Sequence, residues 1–175
     1  MSDSLTVEAR GHACAEPATL WALLEDVNRY KDWGPWSESG YLEQPSGSPH
    51  GAGAVRRLRY RHRRAATIEP VIEAVPERRL VYEVTSGIPV RDYRASVELT
   101  PDARGTRIRW RATFARTVGG LLMRRTLARV YREVVAQLVT AAEAEGAPRD
   151  CSGPPCVRAD HGAASTVTRD VSISS

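Results

Sequence analysis

Lysine is almost absent from this chain of 175 residues: of 25 basic residues only Lys31 is a lysine, and the rest are arginine. So complete a skew can follow from genome-wide coding bias, so abundant arginine is not by itself a sign of phosphate contacts. Cysteine is scarce too, and Cys14, Cys151 and Cys156 make an odd number. That count does not suggest a disulfide framework, and it fits a reducing compartment. No apolar run approaches the roughly 18 residues that span a bilayer. The opening MSDSLTVEAR lacks the basic-then-apolar order of a secretory signal, so a cytoplasmic location is expected. Also missing are a Ser/His/Asp order, an HExxH helix, a glycine-rich phosphate loop and a paired-carboxylate spacing. Their absence removes the common hydrolase and phosphotransferase readings. It leaves room for acid–base groups dispersed over several elements.

What is present is an ordinary globular balance, 42% hydrophobic and 26% charged, which suits one domain with a sizeable core. The composition changes near Pro148. Residues 148–175 are rich in Ser, Gly, Pro and Ala with little bulky apolar content. Such a segment cannot bury enough to offset the entropy of ordering, so a disordered tail is expected after a domain of residues 1–147. Cys151, Cys156 and His161 in that tail fall short of the four ligands of a structural zinc site. No metal and no cofactor are expected.

Within the body, LTVEARGHACA reads as a strand. EPATLWALLEDV reads as a helix, with Pro17 at the favoured first position and Leu20, Leu23, Leu24 and Val27 at helical spacing. RYKDWGPW is a short turn or second helix, followed by the loop QPSGSPHGAG. From Ala54 to Phe114 the period is two. Five strand-like runs, AVRRLRYRHRR, ATIEPVIEAV, RRLVYEVTSG, VRDYRASVELT and TRIRWRATF, are joined by turns too short for parallel crossovers. The spacing therefore predicts an antiparallel meander. From about Gly120 to Glu145 the apolar stripe Met123, Leu127, Val130, Tyr131, Val134, Leu138 and Ala142 predicts a long helix, stopped by Gly146 and Pro148.

Alternation divides each strand between two faces. VRRLRYRHRR, residues 55–64, holds six arginines and first suggests a phosphate-binding run. Parity splits it: Leu58, Tyr60 and His62 fall on one face, and Arg57, Arg59, Arg61 and Arg63 on the other. The last strand sends Ile108, Trp110, Ala112 and Phe114 inward and Arg107, Arg109 and Arg111 outward. A sheet with one apolar and one charged face is covered on one side only, here by the long helix. The arginines are then a solvated outer face, with Glu83, Glu98 and either Glu69 or Glu73 available to pair with them. Nucleic-acid binding is not favoured, because stacking aromatics are missing from that face.

Strand, helix, short helix, antiparallel sheet and long C-terminal helix, in that order, resemble the START-like or SRPBCC superfamily, in its polyketide cyclase/dehydrase-type branch. The resemblance rests on PATLWALLEDVNRYKDW, on GAGAVRRLRY, on VPERRLVYEV, on SGIPVRDYRASV and on ELTPDARGTRIRWRATF, which together span nearly all of the body. It implies an α+β helix-grip fold, a curved antiparallel sheet of about six to seven strands around a long helix, with two short helices after strand one. It also implies an internal apolar cavity.

The inward set would line that cavity: Leu58, Tyr60, Ile68, Leu80, Tyr82, Tyr93, Val97, Ile108, Trp110 and Phe114 from the sheet. Leu127, Tyr131 and Val134 would face them from the helix, with Trp33 or Trp36 near the mouth. Polar exceptions on this face must find partners. Arg56, His62 and Tyr82 are the candidates for acid–base work, against plainer readings of Arg56 as a rim residue and His62 as a surface histidine at a strand end. Asp92, beside Arg91 and Arg94, reads as an ion-pairing residue, and His12 enters the cavity only if strand one turns that way. The expected role is binding of a hydrophobic lipid, polyketide or aromatic metabolite by a monomer or homodimer. The alternative is a cyclase/aromatase-like enzyme in the same cavity, and the third reading is an anionic partner on the outer arginine face.

Overall fold

The computed structural model describes residues 4–44 and 51–146, so the expectations for the tail lie outside the described residues. Strand β1 (Ser4–Ala13) buries every second residue from Leu5 to Ala13. Its alternation turns His12 outward, where the ring meets Asp102 at 3.1 Å. Cys14 takes part in a disulfide, which the odd cysteine count does not foretell. Helix α1 (Pro17–Glu25) starts on Pro17, whose missing N–H is no loss at that position, and buries Leu20, Trp21, Leu23 and Leu24. Asp26 accepts from the Asn28 backbone N–H at 3.0 Å and opens a 3-10 turn that leads into the short helix α2 (Tyr30–Trp33).

Six further strands follow: β2 (Trp36–Glu43), β3 (Val55–Tyr60), β4 (Thr67–Val75), β5 (Arg79–Val84), β6 (Tyr93–Asp102) and β7 (Gly105–Ala115). They form a meander in which all neighbours are antiparallel, and β1 closes on β7 to give the order β1-β7-β6-β5-β4-β3-β2. The β2 strand had no counterpart among the runs read from the sequence. Helix α3 (Val118–Glu145) begins at Thr117, whose hydroxyl accepts from the Gly120 N–H at 3.1 Å. It lies across the inner face and buries Leu127, Tyr131, Val134, Val135, Leu138, Val139 and Ala142. This is the helix grip.

The outer face is a lattice of ion pairs. Glu8 meets Arg10 and Arg109, Glu38 meets Arg57 and Arg59, Glu83 meets Arg94, and Glu73 lies 3.7 Å from Arg79. Each exposed pair contributes only a few tenths of a kcal/mol, so the lattice chiefly disperses charge and keeps the face solvated. The inward parity read for β6 and β7 matches the buried residues, from Tyr93 to Leu99 and from Ile108 to Phe114.

Three assignments of face need correction, Ile68 read as inward and Arg63 and Val81 read as outward. In β4 the inward residues are Thr67, Glu69 and Val71, not Ile68, because Glu69 sits directly opposite the inward Arg56. A register shift between Val71 and Glu73 then changes the phase of the rest of the strand. In β3 the alternation stops at Tyr60, so Arg63 leaves the outer face and its guanidinium reaches the Met123 Sδ at 3.7 Å. Val81 is buried on the face expected to be solvated.

Helix α3 touches β1 more than any other strand. Gly11 makes this approach possible: a Cβ there would stand 2.6 Å from the Val135 Cγ1. Pulled toward the β1 edge, the helix leaves a gap between its N-terminal half and the inner face of strands β2 to β7. Gly11→Ala should cost roughly 1–3 kcal/mol through overpacking and lower the urea midpoint. Gly40→Ala, whose Cβ would find its nearest neighbour at 3.6 Å, should leave the midpoint nearly unchanged.

Candidate functional site

The gap is a cavity of about 90 Å³. Its wall comprises Trp36, Tyr60, Thr67, Glu69, Tyr82, Val84, Tyr93 and Trp110 on the sheet side. Leu127, Val130, Tyr131 and Val134 close it from α3, and Arg63, Ala65, Ile88, Met123 and Thr126 surround the mouth, where Ala65 and Thr126 are exposed. The space is well below the 300–1,000 Å³ or so of a typical small-molecule pocket. A larger occupant must displace side chains, and the unbranched Met123 at the mouth is the most compliant of them.

Behind the cavity lies a buried ion pair. Arg56 is 2% exposed; its Nη2 donates to the Glu69 Oε2 at 3.1 Å and its Nη1 to the Tyr30 hydroxyl at 3.1 Å. The Tyr30 hydroxyl in turn donates to the Leu24 carbonyl at 2.7 Å, which ties β3 to the end of α1. The guanidinium also stacks over the Tyr82 ring at 4.6 Å from its centre. Glu69 accepts a second bond from the Thr67 hydroxyl at 2.9 Å. Burial pushes the Glu69 carboxyl up, and Arg56 and Thr67 pull it back. Arg56 is therefore neither a rim residue nor a wall of the cavity; it fixes Glu69 and Tyr82, which are.

The phenols form the polar part of the cavity. The Trp110 Nε1–H donates to the Tyr82 hydroxyl at 3.1 Å, the Tyr93 and Tyr131 hydroxyls bond to each other, and Tyr131 also interacts with Tyr82. Three O–H groups thus share two links. Each link takes at most one proton, so at least one O–H is left over whichever way the chain runs. Tyr60, nearer the mouth, donates to Glu133 on α3.

Among the residues read from the sequence as ligand-binding, Trp36, Tyr60, Tyr82, Tyr93, Trp110, Leu127 and Tyr131 all meet at this cavity. Leu58 does not: it packs with Val27 and Tyr30 in a second core cluster. Phe114 lies behind the wall, stacked on Tyr93 at 6.0 Å. Of the catalytic candidates only Tyr82 reaches the cavity, since His62 is exposed beyond the end of β3. Asp92 is exposed in the turn before β6, with φ +52°. Trp33 joins Tyr30 and Trp36 in an aromatic cluster with ring centres 5.0–5.4 Å apart. The sequence reading missed Thr67, Glu69 and Arg63, and a cross-strand partner for the buried Arg56 was the signal that could have found Glu69.

A seven-stranded sheet gripping a long helix over an apolar, phenol-lined cavity defines the class: a helix-grip protein with an internal site. The chain belongs to the polyketide cyclase/dehydrase and lipid transport family, whose model matches residues 4–143. No curated protein matches the chain. Among solved structures it is similar to a protein from Thermobifida fusca, at 22% identity and a TM-score of 0.65, covering 82% of this chain and 97% of that one. It is also similar to the protein XoxI from Bacillus cereus, at 18% identity and a TM-score of 0.60, covering 81% and 96% of the two chains. The di-domain ARO/CYC StfQ from the steffimycin biosynthetic pathway gives 12% identity and a TM-score of 0.67, over 81% of this chain and 51% of StfQ. At these identities the likeness establishes the fold alone.

Burial raises all six tyrosines above the ordinary phenol value, Tyr30 and Tyr60 to about 12, with the Glu133 contact adding to the rise at Tyr60. A raised folded-state value means that the stabilisation is complete below the unfolded value near 10 and is lost as pH rises through the folded one. Absorbance at 295 nm should therefore show little tyrosinate in the folded protein at pH 10. Its appearance above that should coincide with loss of the far-ultraviolet circular dichroism signal. Separate transitions would contradict the burial described here.

Proposed function

We propose that the protein binds a neutral, mainly apolar small molecule that carries a carbonyl oxygen. The observation that carries this reading is the surplus O–H of the Tyr82–Tyr131–Tyr93 chain, since a buried donor without an acceptor is costly and a ligand carbonyl supplies one. The remaining wall of Trp36, Val84, Trp110, Leu127, Val130 and Val134 suits an aromatic or aliphatic body. The family description joins cyclase/dehydrase chemistry with lipid transport, and lipids, polyketides and aromatic metabolites all fit this ligand class.

Binding is favoured over cyclisation because a cyclase needs a proton acceptor facing the substrate. The phenols are held protonated, and Glu69 is engaged by Arg56 and Thr67. Tyr82 serves this reading as a hydrogen-bond donor rather than as a base.

Native mass spectrometry of freshly purified protein, followed by extraction, identifies any bound compound. Titration with an aryl ketone and with its methylene analogue then tests the donor. The ketone should bind more tightly by about 2- to 10-fold, the worth of one hydrogen bond, and replacing Tyr82, Tyr93 and Tyr131 together by Phe should remove the difference. Leu127→Trp should weaken both ligands at least about tenfold by filling the cavity. Equal affinities for ketone and methylene analogue in the parent protein would overturn the carbonyl assignment. Undiminished binding in Leu127→Trp would overturn the cavity as the site.

A further inference from the structure

We infer that the mouth of the cavity docks on an anionic lipid surface, through the exposed leucines of the first turns of α3 and a surround of arginines. Val118, Leu121 and Leu122 are 77%, 48% and 75% exposed, which is unusual for bulky apolar side chains. Their i, i+3, i+4 spacing places them together on one side of the helix, one turn before Thr126 at the mouth. Arg124, Arg125 and Arg129 flank them on α3, and residues 116–132 contain no acid.

Two neighbouring loops add to the charge. Arg64 adjoins Arg63 and Ala65 of the mouth. Arg91 lies beside the start of α3, where its carbonyl accepts from the Ala115 N–H at 2.9 Å. Arg64, Arg91, Arg124, Arg125 and Arg129 are exposed, and among the described residues none has an ion pair. The outer sheet face differs: Arg57, Arg59, Arg94 and Arg109 are each held by a glutamate. Uncompensated charge is thus densest around the apolar tip; on the sheet face Arg107 meets Asp102, and Arg111 alone of this set is exposed with no ion pair among the described residues.

Apolar side chains projecting between guanidinium groups match the boundary of an anionic bilayer, where the leucines enter the acyl region and the arginines meet the headgroups. No described helix is long and apolar enough to cross a membrane, so the contact is peripheral. A nucleic-acid partner would call for stacking aromatics, and these first turns carry none. The inference rests on exposed residues and does not depend on what occupies the cavity.

Co-sedimentation of the full chain with vesicles tests it. The protein should pellet with phosphatidylglycerol-rich vesicles and stay in solution with phosphatidylcholine alone. Leu121→Ser with Leu122→Ser should lower partitioning about tenfold, with the circular dichroism spectrum unchanged. Arg124→Gln with Arg125→Gln should lower it roughly fivefold per arginine. Arg107→Gln with Arg111→Gln, the same charge change on the outer sheet face, should have little effect.

Failure to pellet with anionic vesicles overturns the inference, and capture by immobilised polyglutamate in that case would assign the surface to an acidic protein instead. Equal loss from the sheet-face variant, or no loss from the leucine variant, also overturns it, because attraction would then be diffuse charge rather than docking.

Discussion

The inner face is organised around one guanidinium that cannot lose its proton. Arg56 is charged at any pH at which the protein is folded, so its burial requires a fixed anion and oriented acceptors. Glu69 supplies the anion from the facing position of β4, and Tyr30 supplies an acceptor from the start of α2. Slipping β3 against β4 by one residue would carry Glu69 to the outer face and leave the cation alone in the core. The pair therefore pins strand register, seats α1 and α2 through the Tyr30–Leu24 bond, and sets the ring of Tyr82 over the guanidinium. Packing of α3 completes the enclosure; the position of the cavity floor is already determined by this pair.

Much of the architecture could be read from the sequence where alternation is clean. TRIRWRATF and RASVELT keep arginine and small polar residues on one parity and apolar residues on the other, and both strands fold that way. The α3 stripe is equally plain because the helix has a single covered face. TIEPVIEAV resists the same treatment, since it has isoleucines on one parity and valines on the other, and a register shift changes its phase midway. Only the knowledge that Arg56 is buried selects the parity containing Glu69. WSESGYLE, which folds as β2, has too few apolar residues to announce a strand. It is held instead by pairing with β3 and by Tyr41 donating to the Glu25 carbonyl.

The site was legible to the extent that it is made of aromatic residues on clean strands. Trp110, Tyr82 and Tyr93 follow from parity, and Tyr131 and Leu127 follow from the helical stripe. The mouth was not legible, because it is built where periodicity ends: Arg63 and Ala65 in a turn, Ile88 in a loop, and Thr126 on the rim of the helix. Nor could the sequence separate neutralised arginines from uncompensated ones. That depends on which glutamates face them across the sheet.

The pairing of Arg56 with Glu69 also determines what kind of solute the interior tolerates. Opposite charges 3.1 Å apart cancel at short range, and the surrounding phenols carry no charge at neutral pH, so the wall as a whole is electrically neutral. An ion entering such a space would shed its hydration shell and gain no counterion in return. The arginine-rich entrance attracts anions while the interior refuses them. An entrance that draws anions around an interior that disfavours them would select a solute by its charge before it reached the phenols.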